Sequence, residues 1–333
     1  MKRILTITVS ALLLLVACNS PETKALTKKS SSGKTQEMIL AADRGLYTGA
    51  TKELIDSIFR SPQDGLPQPE PRFDVVSIPV SSLENTQMFQ MHRNIVLCDV
   101  KEGNPDKLYI HHDKWSEPQV VVDLAASSEA ALCDLLRRHA DRIIDELYAA
   151  EYRRMANAFY RDRNVDLMKR FATKFGFSLN LPQEFAMAKE DDGFAWLMKR
   201  TKDFDLNVLV HVEPYRDQAQ FSSGKIYNRL DTTMRRNVPG PSEGSYMGTE
   251  RRFDLTSRLV DFEGVKYAVE TRGLWRTFGD FMGGPFVAYT LLSPDGTQLV
   301  ELTAFVYCPR FDKRDYLMQV DGICRSIKWT SVE

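Results

Sequence analysis

Apolar residues recur along this chain with two spacings, and the switches between them mark out its elements. From Ser127 to about Tyr160, Leu132, Leu136, Ile143 and Leu147 return at helical spacing, and Leu135 and Ile144 widen the stripe. This is the longest helical pattern in the sequence. Ser127 or Ser128 can cap its start, with Glu129 in the first turn. Arg137-Arg138, Asp141-Arg142 and the charges from Glu151 to Arg154 read as a solvated face. Shorter helices are expected at residues 51–60, 165–174, 226–237 and 313–327. In the first of these Leu54, Ile55, Ile58 and Phe59 share a face, Thr51 is a plausible N-cap, and Pro62 stops the helix.

Between the helices the period falls to two. Strands are expected at residues 37–42, 73–79, 94–100, 107–111 and 119–124 in the first half of the chain. The second half adds 177–182, 194–199, 206–212, 252–262, 265–274, 286–292 and 298–307. Ser293-Pro-Asp-Gly296 is a strong hairpin signal between the last two, which are apolar on both faces and therefore central. The pattern predicts an α+β protein of two α+β domains, residues 35–160 and 164–333, the second an antiparallel sheet with flanking helices. Asp64-Gly65-Leu66-Pro67-Gln68-Pro69-Glu70-Pro71 in the first half is a stiff extended loop, either a partner-docking segment or a rigid connector.

The first residues depart from this pattern. Lys2-Arg3, an apolar run from Ile4 to Ala17 and then Cys18 have the layout of a signal peptide. The run is shorter than the roughly 20 apolar residues that a membrane-spanning helix needs. Leu15-Val16-Ala17-Cys18 resembles a bacterial lipobox, which implies removal of residues 1–17 and lipidation of Cys18 with palmitate-type chains. Residues 18–34 are polar and end in a Ser-Gly cluster, so they read as a tether, reaching at most roughly 50 Å. Asn19 follows the cysteine without an acidic run, which by resemblance to sorting rules favours the outer membrane, facing the periplasm.

At 333 residues, 43% hydrophobic, the chain can build two cores. Its formal charge is -1, and loss of Lys2 and Arg3 with the leader makes it -3. A chain without cationic excess gives no electrostatic case for nucleic acid as a partner.

Candidate chemistry is sparse, and no cofactor or metal is expected. Gly240-Pro-Ser-Glu-Gly244 matches the G-x-S-x-G of a hydrolase elbow, but a helix and two prolines precede Ser242 where a strand is needed. His111 and His112 are adjacent on a strand and point to opposite faces. Glu190-Asp191-Asp192-Gly193 reads as a solvated hairpin turn. Cys98, Cys133, Cys308 and Cys324 show no close spacing and read as buried thiols, with Cys308 to Cys324 the one pairing worth testing. The best binding candidate is Arg272, Trp275 and Arg276, an aromatic and guanidiniums on a strand end beside a Gly-Gly-Pro turn. Its structural alternative is a long hairpin with Trp275 packed on the sheet.

Two resemblances bear on the whole. The second half, with its opening Phe-Ser-Leu-Asn-Leu-Pro182 and closing Ser326-Ile327-Lys328-Trp329, resembles the antiparallel α/β sandwiches typified by PsbP and Mog1-like proteins. Leu66-Pro-Gln-Pro-Glu-Pro71, His92-Arg-Asn-Ile-Val96, Arg272-Gly-Leu-Trp275 and Met282-Gly-Gly-Pro-Phe286 are similar, over nearly the whole mature chain, to a Bacteroidetes-type lipoprotein family catalogued as domain of unknown function 4837. That likeness implies an envelope location and no chemistry. The expectation is a lipid-anchored, non-catalytic binding or accessory module with an envelope protein or glycan as partner. The alternatives are an envelope hydrolase working between the halves and a structural subunit of an outer-membrane assembly.

Overall fold

The computed structural model describes residues 28–330 apart from Glu263. The leader, Cys18 and the tether as far as residue 27 lie outside the described residues. The fold is α+β, built on two sheets. The first has the order β2-β1-β3-β5-β4, from β1 (Glu37–Ala41), β2 (Asp74–Ile78), β3 (Asn94–Val100), β4 (Lys107–His112) and β5 (Val120–Ala126). All its pairings are parallel except that of β4 with β5. Parallel strands covered on both faces explain why Val120, Val121 and Val122 are all buried rather than alternating.

Helices α1 (Gly49–Phe59) and α4 (Glu129–Arg161) cover one face, and the short α2 (Val80–Asn85) and α3 (Gln87–Gln90) lie beside the other. The stripe read from the sequence holds α4 down: Leu132, Leu135, Leu136, Ile143, Ile144 and Leu147 are all buried. Each such side chain contributes roughly 1.5–3 kcal/mol of transfer free energy. Ser128 caps the helix, its side chain accepting from the Ala131 N–H. The cap expected of Thr51 is not made. Thr48 holds that position, while the Thr51 hydroxyl is buried and donates to Glu129.

The second sheet is antiparallel, in the order β10-β12-β13-β14-β9-β8-β7, with β11 added beside β12. Its strands are β7 (Ala186–Asp191), β8 (Phe194–Arg200), β9 (Asp205–Pro214), β10 (Tyr246–Thr249), β11 (Thr256–Leu259), β12 (Ala268–Phe278), β13 (Gly283–Leu292) and β14 (Gln298–Tyr307). As expected from their two apolar faces, β13 and β14 are central. Helix α6 (Ser223–Asn237) lays Ile226, Leu230 and Met234 against Phe286 and Phe305 on one face. On the other, α5 (Val165–Phe175) and α7 (Arg314–Arg325) bury Phe171, Leu317 and Ile323 with Tyr289 and Leu302. A two-stranded pair, β6 (Phe177–Ser178) with β15 (Lys328–Trp329), closes the chain.

The stiff proline loop ties the halves together. The Glu70 carboxylate accepts the backbone N–H groups of Lys313 and Arg314, each at 2.8 Å, at the start of α7. There it satisfies donors that the helix leaves unpaired and sits favourably at the positive end of its dipole. Arg314 answers with Nη1 to the Pro71 carbonyl and Nη2 to Asp74, both at 2.7 Å. Gly65, at φ +79°, lies so close to β12 that a Cβ there would come within 3.2 Å of the Gly273 nitrogen. The segment that could have docked a partner docks this chain's own second half.

Two surface readings are corrected by burial. Glu151 is wholly buried and Arg154 nearly so, joined at 2.8 Å, and both bond to Asn94 on β3. Arg154 carries its charge inside because its nitrogens also reach the carbonyls of Arg93 and Pro118. Residues 28–34 belong to the body rather than the tether: Ser30 bridges to Glu117 and Ser32 to His92.

Candidate functional site

Arg272, Trp275 and Arg276 lie on β12, where alternate side chains point to opposite faces. The three do not form one surface. Trp275 faces α6, is 3% exposed, stands edge-on to Phe305 at 5.4 Å, and donates from Nε1 to the Val306 carbonyl at 3.2 Å. It is a core residue, held by exclusion of water and by a satisfied N–H, and cannot serve as a docking aromatic. Arg272 faces α7 and is sealed there. Only Arg276 reaches solvent, with Nη1 on Glu250 at 3.3 Å and its guanidinium over the Phe278 ring at 5.0 Å.

Arg272 is the centre of a buried ionic cluster. Its Nε donates to Glu270 at 2.9 Å and its Nη2 to Asp321 at 2.7 Å. Arg325 bonds Glu270 at 3.0 Å, and Arg258 reaches the other oxygen of that carboxylate at 3.0 Å. The Tyr289 hydroxyl has an oxygen of each acid within reach of its one proton and accepts from Arg325 Nε at 2.9 Å. Tyr152, from α4 in the first half, donates to Asp321 at 2.8 Å. Burial pushes the Glu270 carboxyl upward, but Arg272, Arg325 and Arg258 outweigh it and hold the group well below the ordinary glutamate range. Burial raises both tyrosines, so their hydroxyls stay protonated donors.

A glutamate held ionised by three arginines, an aspartate with both oxygens engaged, and two phenols locked as donors leave no unengaged group to take a proton. The cluster is a satisfied framework joining α4, α7 and the second sheet. Nor do two cavities among the described residues assemble chemistry. One, of about 260 Å³, is bordered by His112, Asp113 and Arg153. The other, of about 280 Å³, lies between the halves, where Lys199 is already paired with Glu184.

The Ser242 hydroxyl donates to the carboxylate of Asp280, in a loop, and no histidine bonds to it among the described residues. Histidines 111 and 112 lie on β4 without a third ligand near them, since no group of three His, Cys, Asp or Glu side chains converges among the described residues. Of residues 190–193 only Asp192 and Gly193 form the turn between β7 and β8; Glu190 and Asp191 end β7, where Glu190 pairs with Arg170 and Lys174. Cys98, Cys133, Cys308 and Cys324 are all free thiols, so Cys308 and Cys324 are not bridged.

What is displayed is the hairpin between β12 and β13. Asp280, fixed by Ser242 and by the Phe281 N–H at 2.6 Å, sets the turn, and Gly279 supplies its positive φ of +87°. Phe281 projects from this turn fully exposed. Below it Phe278 stacks on Tyr246 with centroids 5.2 Å apart, and Arg235 covers the outer Tyr246 face at 4.5 Å. The result is an aromatic rim edged by Arg235 and Arg276, with Phe281 in water. The residues that matter most here, Phe281, Glu270 and Asp321, escaped the sequence reading. Glu270 two residues before Arg272 on one face of β12 was a usable signal for an ion pair; a lone Phe in a turn carries none.

Residues 31–160 match the family model described as Domain of unknown function (DUF8532). The similarity to domain of unknown function 4837 is therefore narrower than nearly the whole mature chain, and the proline loop and His92-Arg-Asn-Ile-Val96 fall under the other model. No curated protein matches the chain. Residues 164–326 match the model described as Domain of unknown function (DUF4837), so the two halves of this chain resemble two successive domains of unknown function.

Proposed function

We propose that the protein is a lipid-anchored, non-catalytic binding module of the cell envelope, facing the periplasm from the outer membrane, whose contact surface is the β12–β13 hairpin. The observation that carries the binding part is Phe281, a large apolar side chain left in water on a turn held by Asp280 and Ser242. Exposing it gains this chain nothing, whereas a fixed aromatic beside an arginine is the composition of an interface anchor. The envelope protein or glycan expected from the sequence would meet Phe281 first and Arg276 at its edge. The anchoring part rests on Leu15-Val16-Ala17-Cys18, and the likeness to Bacteroidetes-type lipoproteins and to PsbP and Mog1-like sandwiches belongs to the same proposal. The hydrolase alternative finds no support in Ser242, whose hydroxyl is spent on a carboxylate.

Two measurements test the two parts. In cells fed a traceable palmitate, the wild type should take up label and Cys18→Ala should stay unlabelled and keep its leader; a labelled, processed Cys18→Ala protein contradicts the anchor. In envelope extracts resolved by size under native conditions, the wild type should run in a complex and Phe281→Ala at the mass of the free chain. Phe281→Ala should change stability by no more than about 0.5 kcal/mol, as is usual for an exposed site. A wild type that runs as the free chain contradicts the binding surface.

A further inference from the structure

Between α6 and the large sheet lies a buried polar cluster that the rim does not use. Glu301 on β14 is buried beneath α6, with Oε2 on Arg229 Nε at 2.9 Å and Oε1 without a partner. Directly across the ladder on β9 stands His211, whose Nδ1 is also buried and unpartnered. On the other side β13 offers only Thr290, 3.5 Å from Arg229 Nη2. Arg229 is the polar pin of α6. Besides Glu301 it reaches Glu213 of β9 at 3.5 Å and the Gln220 carbonyl at 3.4 Å. Arg236 is the other charge of α6 that acts on His211. An enclosed carboxyl with one oxygen unsatisfied favours its neutral form, because the proton removes a buried charge that a single guanidinium only half compensates.

The same helix holds the rim. Two residues beyond Arg229, Asp231 accepts from the Thr249 N–H at 2.8 Å and its hydroxyl at 2.7 Å, and pairs with Arg251. One turn further, Arg235 covers Tyr246. Resting on the reading of that rim as the contact surface, we propose that α6 is a proton-controlled latch: the proton on Glu301 sets how firmly the helix stays on the sheet, and so how often Asp231 and Arg235 let go of the rim.

Burial raises the Glu301 carboxyl to about 7, against an ordinary glutamate value of 4.5, and Arg229 only partly offsets this. The sign follows from linkage. When α6 lifts, Glu301 meets water and returns to its ordinary value, so the closed state holds the proton more tightly and opening becomes easier as pH rises from 4.5 through 7. His211 acts the other way, since burial lowers it and the closed state prefers its neutral ring.

Amide hydrogen exchange of residues 223–237, corrected for intrinsic rates, reads the opening equilibrium. Comparing wild type with Glu301→Gln cancels the His211 contribution. From pH 5 to pH 8 the ratio of their opening constants should climb by on the order of 50-fold; a ratio constant within twofold overturns the latch. If the variant fails to fold, infrared spectra of wild type with labelled glutamate decide. A protonated glutamic carbonyl band at pH 6 that disappears by pH 8 supports the proposal, and its absence at pH 6 overturns it. Neither reading depends on Phe281, so the latch can fail while the complex persists, and the reverse.

Discussion

Replacing Glu270 by Gln is expected to cost the fold about 3–5 kcal/mol, the usual loss when one partner of a buried ion cluster is removed. The carboxylate faces Arg272, Arg325 and Arg258. Without it, Asp321 alone must balance two buried guanidiniums, and the Tyr289 hydroxyl loses one acceptor. Because the cluster joins Tyr152 of α4 to α7, the loss should appear as a lower urea midpoint for the whole chain with little change in slope. A shift worth less than about 1 kcal/mol would mean the cluster is not the frame described. The wild type carries the same signature in its pH dependence. Glu270 is held below its ordinary value of 4.5, so its contribution is complete above that pH and fades as pH falls beneath it.

Trp275→Ala should be as damaging, by a different route. The indole is packed between Phe305 and α6 and its N–H is satisfied inside the sheet. Truncation removes its transfer free energy and leaves a cavity that two central strands cannot collapse, costing about 3–5 kcal/mol. Thermal unfolding of the purified protein checks it. The contrast with Phe281→Ala separates core from surface on one hairpin. If Trp275→Ala instead kept full stability and lost only the complex, the tryptophan would be a docking residue after all.

Local patterns survived into the structure where one element decided its own fate. The stripe from Leu132 to Leu147 needed nothing beyond helical spacing and a sheet to lie on, and Ser293 to Gly296 needed only turn chemistry. The α+β class followed from such stretches. The misses came where a distant segment set the outcome. Glu151 and Arg154 look like an exposed charge pair on α4, and Asn94 on β3, with Arg93 just before it, makes them interior. Ser30 and Ser32 look like tether until Glu117 and His92 pair with them. Arg272, Trp275 and Arg276 look like one cluster in sequence. The strand's alternation divides them, and the body then closes over two of the three. Runs such as Val120-Val121-Val122 mark strands buried on both faces, but the order and direction in which β1, β2, β3 and β5 pair depend on which apolar run meets which.

The most direct test of the binding surface is crosslinking in living cells from a photoreactive residue placed at position 281, with position 160 as control, since Tyr160 is also exposed but lies far along the chain on α4. An adduct of one discrete mass from position 281, absent from position 160 and lost when Arg276→Ala is added, is the expected result. No adduct from 281, or the same smear of products from both positions, would contradict a contact surface at the β12–β13 hairpin.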